Sequence, residues 1–257
     1  MSSAPSVTAV ARVGAQAAAP GERPRRRRIG LFGGSFDPVH QAHAALARAA
    51  LDQLGLDELR WMPAGQPWQK TRALLPADHR AAMLELLVAA EPRWRLERCE
   101  IERAGPTYTL DSLVELQVGT AAVGAADWYL LIGQDQYANF TRWHGWQQIV
   151  QRATLAVAAR AGTPVQPPAE LTLRLDEAIA AGHCAPERRP VVVELPAHEH
   201  AATALRERLA AGQHPSSLAP QWLAPVVAGY IARHGLYAAP VEPGAADSAP
   251  PASQGRS

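Results

Sequence analysis

The chain has 257 residues, 47% of them hydrophobic and seven of them tryptophan, enough to bury one sizeable core, and its length alone would admit two domains. Net charge is only +1: residues 1–28 carry six arginines (Arg12, Arg23, Arg25, Arg26, Arg27, Arg28) against Glu22 alone, a local +5 that leaves the remainder at −4 and excludes a basic nucleic-acid surface on the globular part. No run of eighteen apolar residues exists, which excludes a helical membrane span, and Cys99 and Cys184 stand far apart outside any Cys-x-x-Cys, as free thiols of a reducing, cytoplasmic compartment do.

Residues 1–27 are rich in Ala, Ser, Pro and Arg and read as a disordered tail. They contain no apolar h-region, so no secretory signal is expected; a transit peptide would share the composition, but a plain tail is the simpler reading. The arginine run could touch RNA or anionic lipid, yet such runs are more often solvated, and neither nucleic acid nor membrane is expected as a partner. The first strand is Arg28–Phe32, followed by Gly33-Gly34-Ser35-Phe36-Asp37-Pro38 and a helix over Val39–Leu54. A strand over Glu58–Met62 and a helix over Ala77–Ala90 come next, with Asp78 suited to the helix's first turn. Trp94–Ile101 reads as a strand by alternation, although neither of its faces is purely apolar. Thr109–Gln117 reads as a helix. Trp128–Ile132 is a continuous apolar run, as a parallel strand buried on both faces would be. A helix over Trp146–Gln151 and strands over Thr154–Ala158 and Val191–Leu195 complete the alternation, and residues 238–257 form a second tail that cannot build a core.

Strands alternating with helices predict an α/β architecture over residues 28–237, a doubly wound parallel sheet with helices on both faces. Such sheets bind ligands beyond the carboxyl ends of their strands. The Gly33-Gly34 turn sits at such an end and opens a helix, whose unpaired N–H groups and partial positive charge attract anions. Glycine lets the backbone approach a phosphate with no Cβ in the way. His40 and His43 fall one turn apart, so both rings can reach one ligand. Two alternatives stand beside this reading. The histidines could be partly buried with no task, or they could form a metal pair; zinc pairs on a helix more often sit four apart, and no further Cys/His cluster supports one. Neither G-x-G-x-x-G nor a Walker A sequence is present, against a dehydrogenase or P-loop ATPase.

Gly33-Gly34-Ser35-Phe36-Asp37-Pro38-Val39-His40-Gln41-Ala42-His43 resembles the signature of the nucleotidylyltransferase superfamily, (H/T)xGH, with Ala42 in place of its glycine. Three further segments sharpen the resemblance. They are Met62-Pro63-Ala64-Gly65-Gln66-Pro67-Trp68-Gln69-Lys70, Gly105-Pro106-Thr107-Tyr108-Thr109-Leu110-Asp111, and Ile132-Gly133-Gln134-Asp135 followed by Trp143 and Trp146. Together they look like the bacterial nicotinate-nucleotide adenylyltransferases, in order over roughly residues 28–237. The resemblance implies a Rossmann-like fold and transfer of AMP from ATP to nicotinate mononucleotide, giving deamido-NAD and pyrophosphate. It implies an ATP site at Gly33, Gly34, Ser35, Phe36, Gly133, Asp135 and Thr203, and a mononucleotide site at Lys70, Thr107, Tyr108, Thr109 and Trp143. It implies His40, His43 and Arg206 as the catalytic residues. Mg²⁺ would be held mainly by the ATP phosphates, with no dedicated metal site. Self-association stays open.

The chemistry is consistent with the residues. Trp143 can stack on a pyridinium ring, the N–H groups and hydroxyls of Thr107, Tyr108 and Thr109 can hold a ring carboxylate, Asp135 can accept from ribose hydroxyls, and Lys70 can neutralise phosphate. Each has a plainer alternative: core aromatic for Trp143 and still more for Trp146, helix caps for Thr107 and Asp135, a surface lysine for Lys70. The late family motif, Ile-Ser-Ser-Thr-x-Ile-Arg, corresponds here to His200-Ala201-Ala202-Thr203-Ala204-Leu205-Arg206, with both serines replaced by alanine. Loss of an N-cap serine costs about 1 kcal/mol and removes hydroxyl donors, so weaker ATP binding or a local substitute such as His200 is expected. The loop also carries Trp68-Gln69 where the family usually has Pro-His. Rival readings are an adenylyltransferase for nicotinamide mononucleotide, one for pantetheine phosphate, and a non-catalytic nucleotide-binding regulator.

Overall fold

The computed structural model describes residues 25–65, 74–122, 124–160, 163–195 and 202–238. Strand β1 (Arg27–Gly34) leads to helix α1 (Gln41–Gln53), then β2 (Glu58–Pro63), α2 (Ala77–Val88) and β3 (Trp94–Leu96). A short α3 (Cys99–Glu102) and a longer α4 (Thr109–Ala121) precede β4 (Ala126–Gly133), α5 (Gln134–Ala138) and α6 (Trp146–Arg152). The order ends with β5 (Thr154–Arg160), α7 (Ala169–Ala180), β6 (Val191–Leu195), α8 (Ala202–Ala210) and α9 (Pro225–Arg233).

All strand pairs are parallel, in the order β3-β2-β1-β4-β5-β6. The chain winds outward from β1 in one direction and from β4 in the other, so the carboxyl ends of β1 and β4 form the switch point where such sheets open a crevice. Period-two alternation sends successive side chains of β1 to opposite cores. Phe32 joins Trp61, Leu131 and Val193 beneath α1, α2, α8 and α9. Ile29 and Leu31 join Leu130, Ile132, Leu155 and Val157 beneath α4, α6 and α7. Two buried faces explain the unbroken apolar run of β4.

The strand expected over Trp94–Ile101 is corrected. Only Trp94–Leu96 pairs, three residues against β2, and Cys99–Glu102 turns into α3. The alternation behind that expectation set charged residues on both faces, a weak signal. The three paired residues suffice because Trp94 is fully buried against Trp61, ring centroids 5.2 Å apart, and the chain leaves the sheet as soon as no further apolar anchor follows. Helix α4 runs four residues past its expected end.

Candidate active site

The turn expected to bind phosphate grows out of β1. His40 caps α1 with extended backbone (φ −144°, ψ 173°), and its N–H donates to His43 Nδ1 at 3.3 Å. With Nδ1 accepting, the neutral His43 ring carries its proton on Nε2, as a donor; this tautomer follows from the hydrogen bond. The two imidazoles stack with centroids 3.8 Å apart, His40 buried behind His43. Phe36 lies beneath. Its ring packs edge-on to His43 at 5.1 Å and to Phe32 at 5.4 Å, and a Cβ on Gly34 would fall 2.9 Å from it. Phe36 holds a left-handed backbone (φ 45°), a conformation that costs a non-glycine residue about 1–2 kcal/mol and that its buried ring holds in place.

Two arginines fasten this turn from behind. Arg206 of α8 donates from Nη1 to the Asp37 carbonyl at 2.8 Å and from Nη2 to Thr203 Oγ1 at 3.1 Å. The late motif is thereby tied to the first one across 169 residues. Arg80 of α2, 2% exposed, donates to the carbonyls of Ser35 and Leu75, both at 2.9 Å. Burial pulls its guanidinium below the ordinary value, and the charge of Asp37 opposes that pull. The Tyr237 hydroxyl donates to Asp37 Oδ1 at 2.6 Å.

From this turn a cavity of about 320 Å³ runs along the ends of β1, β2 and β4 to α4 and the loop before α6. Trp143 stands on its wall after a short 3₁₀ turn, packed on Phe140 at 5.4 Å, with its Nε1 buried and unpartnered among the described residues. Gly145 (φ 63°) follows in the left-handed region that favours glycine, and a Cβ there would lie 2.3 Å from Leu110 Cδ2, so a larger residue would be strained and would displace that leucine from the place where this loop meets α4. Opposite, Tyr108 caps α4 and its ring meets His144 at 4.6 Å. The Thr107 hydroxyl donates to Glu100 Oε2 at 3.3 Å, so it is engaged within the wall. A ligand carboxylate at this place is left the backbone N–H groups of the turn into α4.

Of the residues expected from sequence, Gly33, Gly34, Ser35, His43, Thr107, Tyr108, Thr109, Gly133 and Trp143 line this one cavity. His40 stands behind His43, and Phe36 forms the floor. Thr203 and Arg206 reach the same turn through Asp37. Asp135 is exposed on α5 and does not line the cavity; its neighbour Gln136 does. Lys70, His200 and Ala201 lie outside the described residues. Trp146 is a core residue, 5% exposed. Sequence reasoning missed Glu100 on the cavity wall and Arg80 and Tyr237 behind the phosphate turn. Only the position of Glu100, five residues before Gly105-Pro106-Thr107, could have drawn attention to it. Among the described residues, no three His, Cys, Asp or Glu side chains gather as a metal site. Burial pushes the half-buried Cys99 thiol up to about 11, which disqualifies it as a nucleophile at neutral pH.

Residues 31–208 match the cytidylyltransferase-like family model. A protein of Methylibium petroleiphilum, named probable nicotinate-nucleotide adenylyltransferase, is 46% identical over 215 residues, 84% of this chain and 94% of that protein. A protein of the same name from Neisseria meningitidis serogroup B is 36% identical, over 82% of this chain and 98% of that protein. In three dimensions the chain resembles the nicotinic acid mononucleotide adenylyltransferase of Plasmodium falciparum complexed with APC. The TM-score is 0.61 at 16% identity, covering 82% of this chain and 98% of the other, which establishes a shared fold.

Proposed function

We propose a specific chemistry for this chain, which belongs to the cytidylyltransferase-like family and, within it, to the nicotinate-nucleotide adenylyltransferases: it transfers AMP from ATP to nicotinate mononucleotide, releasing pyrophosphate and deamido-NAD. One observation carries this reading. A histidine-bearing phosphate turn and an indole wall lie on a single cavity at the switch point of the sheet, as joining a nucleotide to a mononucleotide requires.

The acceptor's phosphate is already anionic at neutral pH, so no general base is needed. One of its oxygens attacks the α-phosphorus in line. The bond from that phosphorus to the bridging oxygen of the β-phosphate breaks, and the electron pair leaves with pyrophosphate. No covalent enzyme intermediate forms. Catalysis is positioning plus charge stabilisation. His43, with Nε2 as donor, stabilises charge growing on the α-phosphate, and His40 supports it from behind. Arg206 serves the leaving group from α8, and Gly33, Gly34 and Ser35 let the triphosphate approach the backbone. Trp143 stacks on the pyridine ring, and the turn from Thr107 to Thr109 takes its carboxylate. Lys70 neutralises phosphate, and Gly133 and Asp135 belong to the adenosine side. Mg²⁺ would be held mainly by the ATP phosphates, whose charge it would neutralise.

ATP and nicotinate mononucleotide are thus the partners, residues 28–237 the catalytic unit, and the cytoplasm the compartment. Among the described residues, no helix is long and apolar enough to cross a membrane. The test is pyrophosphate release from ATP and Mg²⁺ with nicotinate and nicotinamide mononucleotides as parallel acceptors. Preference for the nicotinate form is expected. Preference for the amide form overturns the specificity, and no release with either, from folded protein that binds ATP, overturns the enzymatic reading.

A further inference from the structure

Glu100 is a buried carboxyl that the proposed chemistry does not use. It lies on α3, 6% exposed, on the wall of the acceptor half of the cavity. Its partners all donate. Oε2 accepts from Thr107 Oγ1 at 3.3 Å, Oε1 accepts from Ser112 Oγ at 3.2 Å, and the Gly65 backbone N–H donates to the same carboxylate. Arg103 Nη1 in turn donates to Ser112 Oγ at 3.0 Å and faces Glu115 from α4. Gly65 approaches so closely that a Cβ there would stand 2.1 Å from the Glu100 carbonyl oxygen and 3.2 Å from Thr107 Cγ2. One carboxylate therefore joins three separate pieces of the pocket: the turn after β2, the run before α4, and the first turn of α4 itself. A carboxylate accepts only, and three donors converging on it form a satisfied network with no freedom to turn toward solvent.

We infer that Glu100 is a positioning residue for the acceptor mononucleotide: it holds Thr107 and Gly65 in the geometry that shapes the ring-carboxylate end of the cavity, and it touches neither the ring nor the reacting phosphates. This rests on the adenylyltransferase reading above. The placement also answers an electrostatic difficulty. An anionic wall facing the carboxylate on the pyridinium ring would repel it, but here the charge is turned into the wall, toward Ser112, Thr107 and Gly65, with Arg103 behind. Burial pushes the Glu100 carboxyl up, and its hydroxyl donors, Arg103 and the Gly65 N–H oppose that push.

The test compares wild type with Glu100→Gln, Thr107→Val and the double variant, reading KM for each substrate and kcat separately. An amide cannot accept from all three donors, so one is left unmatched. The loss of one charge-assisted hydrogen bond predicts an acceptor KM raised about tenfold in Glu100→Gln. KM for ATP should move less than about twofold, and kcat should fall less than KM rises. Because Glu100 acts through Thr107, the double variant should be no worse than about the worse single variant. A general loss of folding would lower the active fraction and leave KM alone. Wild type that turns over nicotinate mononucleotide while Glu100→Gln keeps its acceptor KM overturns the inference. So does full additivity in the double variant. If Glu100→Gln does not fold, Thr107→Val carries the test, and an unchanged acceptor KM in that variant overturns the inference equally. Wild type inactive on the acceptor overturns the underlying reading instead.

Discussion

Replacing Tyr237 with Phe removes one hydroxyl and nothing else. That hydroxyl donates at 2.6 Å to Asp37, whose side chain is 1% exposed and faces the buried guanidinium of Arg80. A hydrogen bond to an acidic side chain contributes about 1.5–3 kcal/mol, and the ring of the phenylalanine blocks water from replacing the lost donor. For a folded unit of this size each kcal/mol corresponds to roughly 2–4 °C, so the variant should unfold roughly 3–12 °C below wild type. The effect should not stop at stability. The carbonyl of the same Asp37 holds Arg206, and Ser35, two residues earlier, is held by Arg80. A loosened Asp37 should therefore raise KM for ATP by severalfold while the acceptor KM stays within about twofold. The assays are thermal unfolding of the full chain and steady-state pyrophosphate release with each substrate varied in turn. A midpoint within about 1 °C of wild type with unchanged ATP kinetics would refute the claim that this distant residue fastens the phosphate turn.

His43→Ala should lower kcat about 10²–10³-fold, the usual loss for one donor to developing charge, with little change in acceptor KM; kcat near wild type would remove its transition-state role. Trp143→Ala should raise the acceptor KM about 2–30-fold, the range for a cation–π contact of 0.5–2 kcal/mol, and leave KM for ATP alone, as initial rates with each substrate will reveal. Glu100 also predicts a pH effect. Its folded carboxyl titrates above the ordinary value of 4.5, so in that window the folded state binds more protons than the unfolded one, and this group's contribution to stability shrinks as pH rises. Denaturant titrations of wild type and Glu100→Gln across that window should find the difference moving in the variant's favour with rising pH. A pH-independent difference contradicts the assignment.

The glycine turn between β1 and α1 was legible because it is a local device: strand end, Gly33-Gly34 and the first turn of α1 are contiguous, and a strand-to-helix switch leaves its mark in hydrophobic periodicity. The wall formed by Thr107 to Thr109 and Trp143 was legible only through ordered resemblance, since nothing in their spacing says they face one cavity. The segment from Trp94 to Ile101 misled because charged residues stood on both of its faces, and three residues of pairing were decided by the contact of Trp94 with Trp61. The parallel α/β sheet and the strand–glycine–helix turn at the end of β1 were thus determined by the sequence itself, through patterns that each element carries within its own length. The supports were decided by the tertiary structure alone. Arg80 reaches Ser35 across 45 residues, Arg206 reaches Asp37 across 169, Tyr237 reaches Asp37 across 200, and Glu100 takes the hydroxyl from Thr107 that sequence reasoning had offered to the ligand. Hydrogen bonds between residues so far apart leave no periodic trace, because the requirement they satisfy is the pairing of a buried polar group, and its partner is set by how the layers pack.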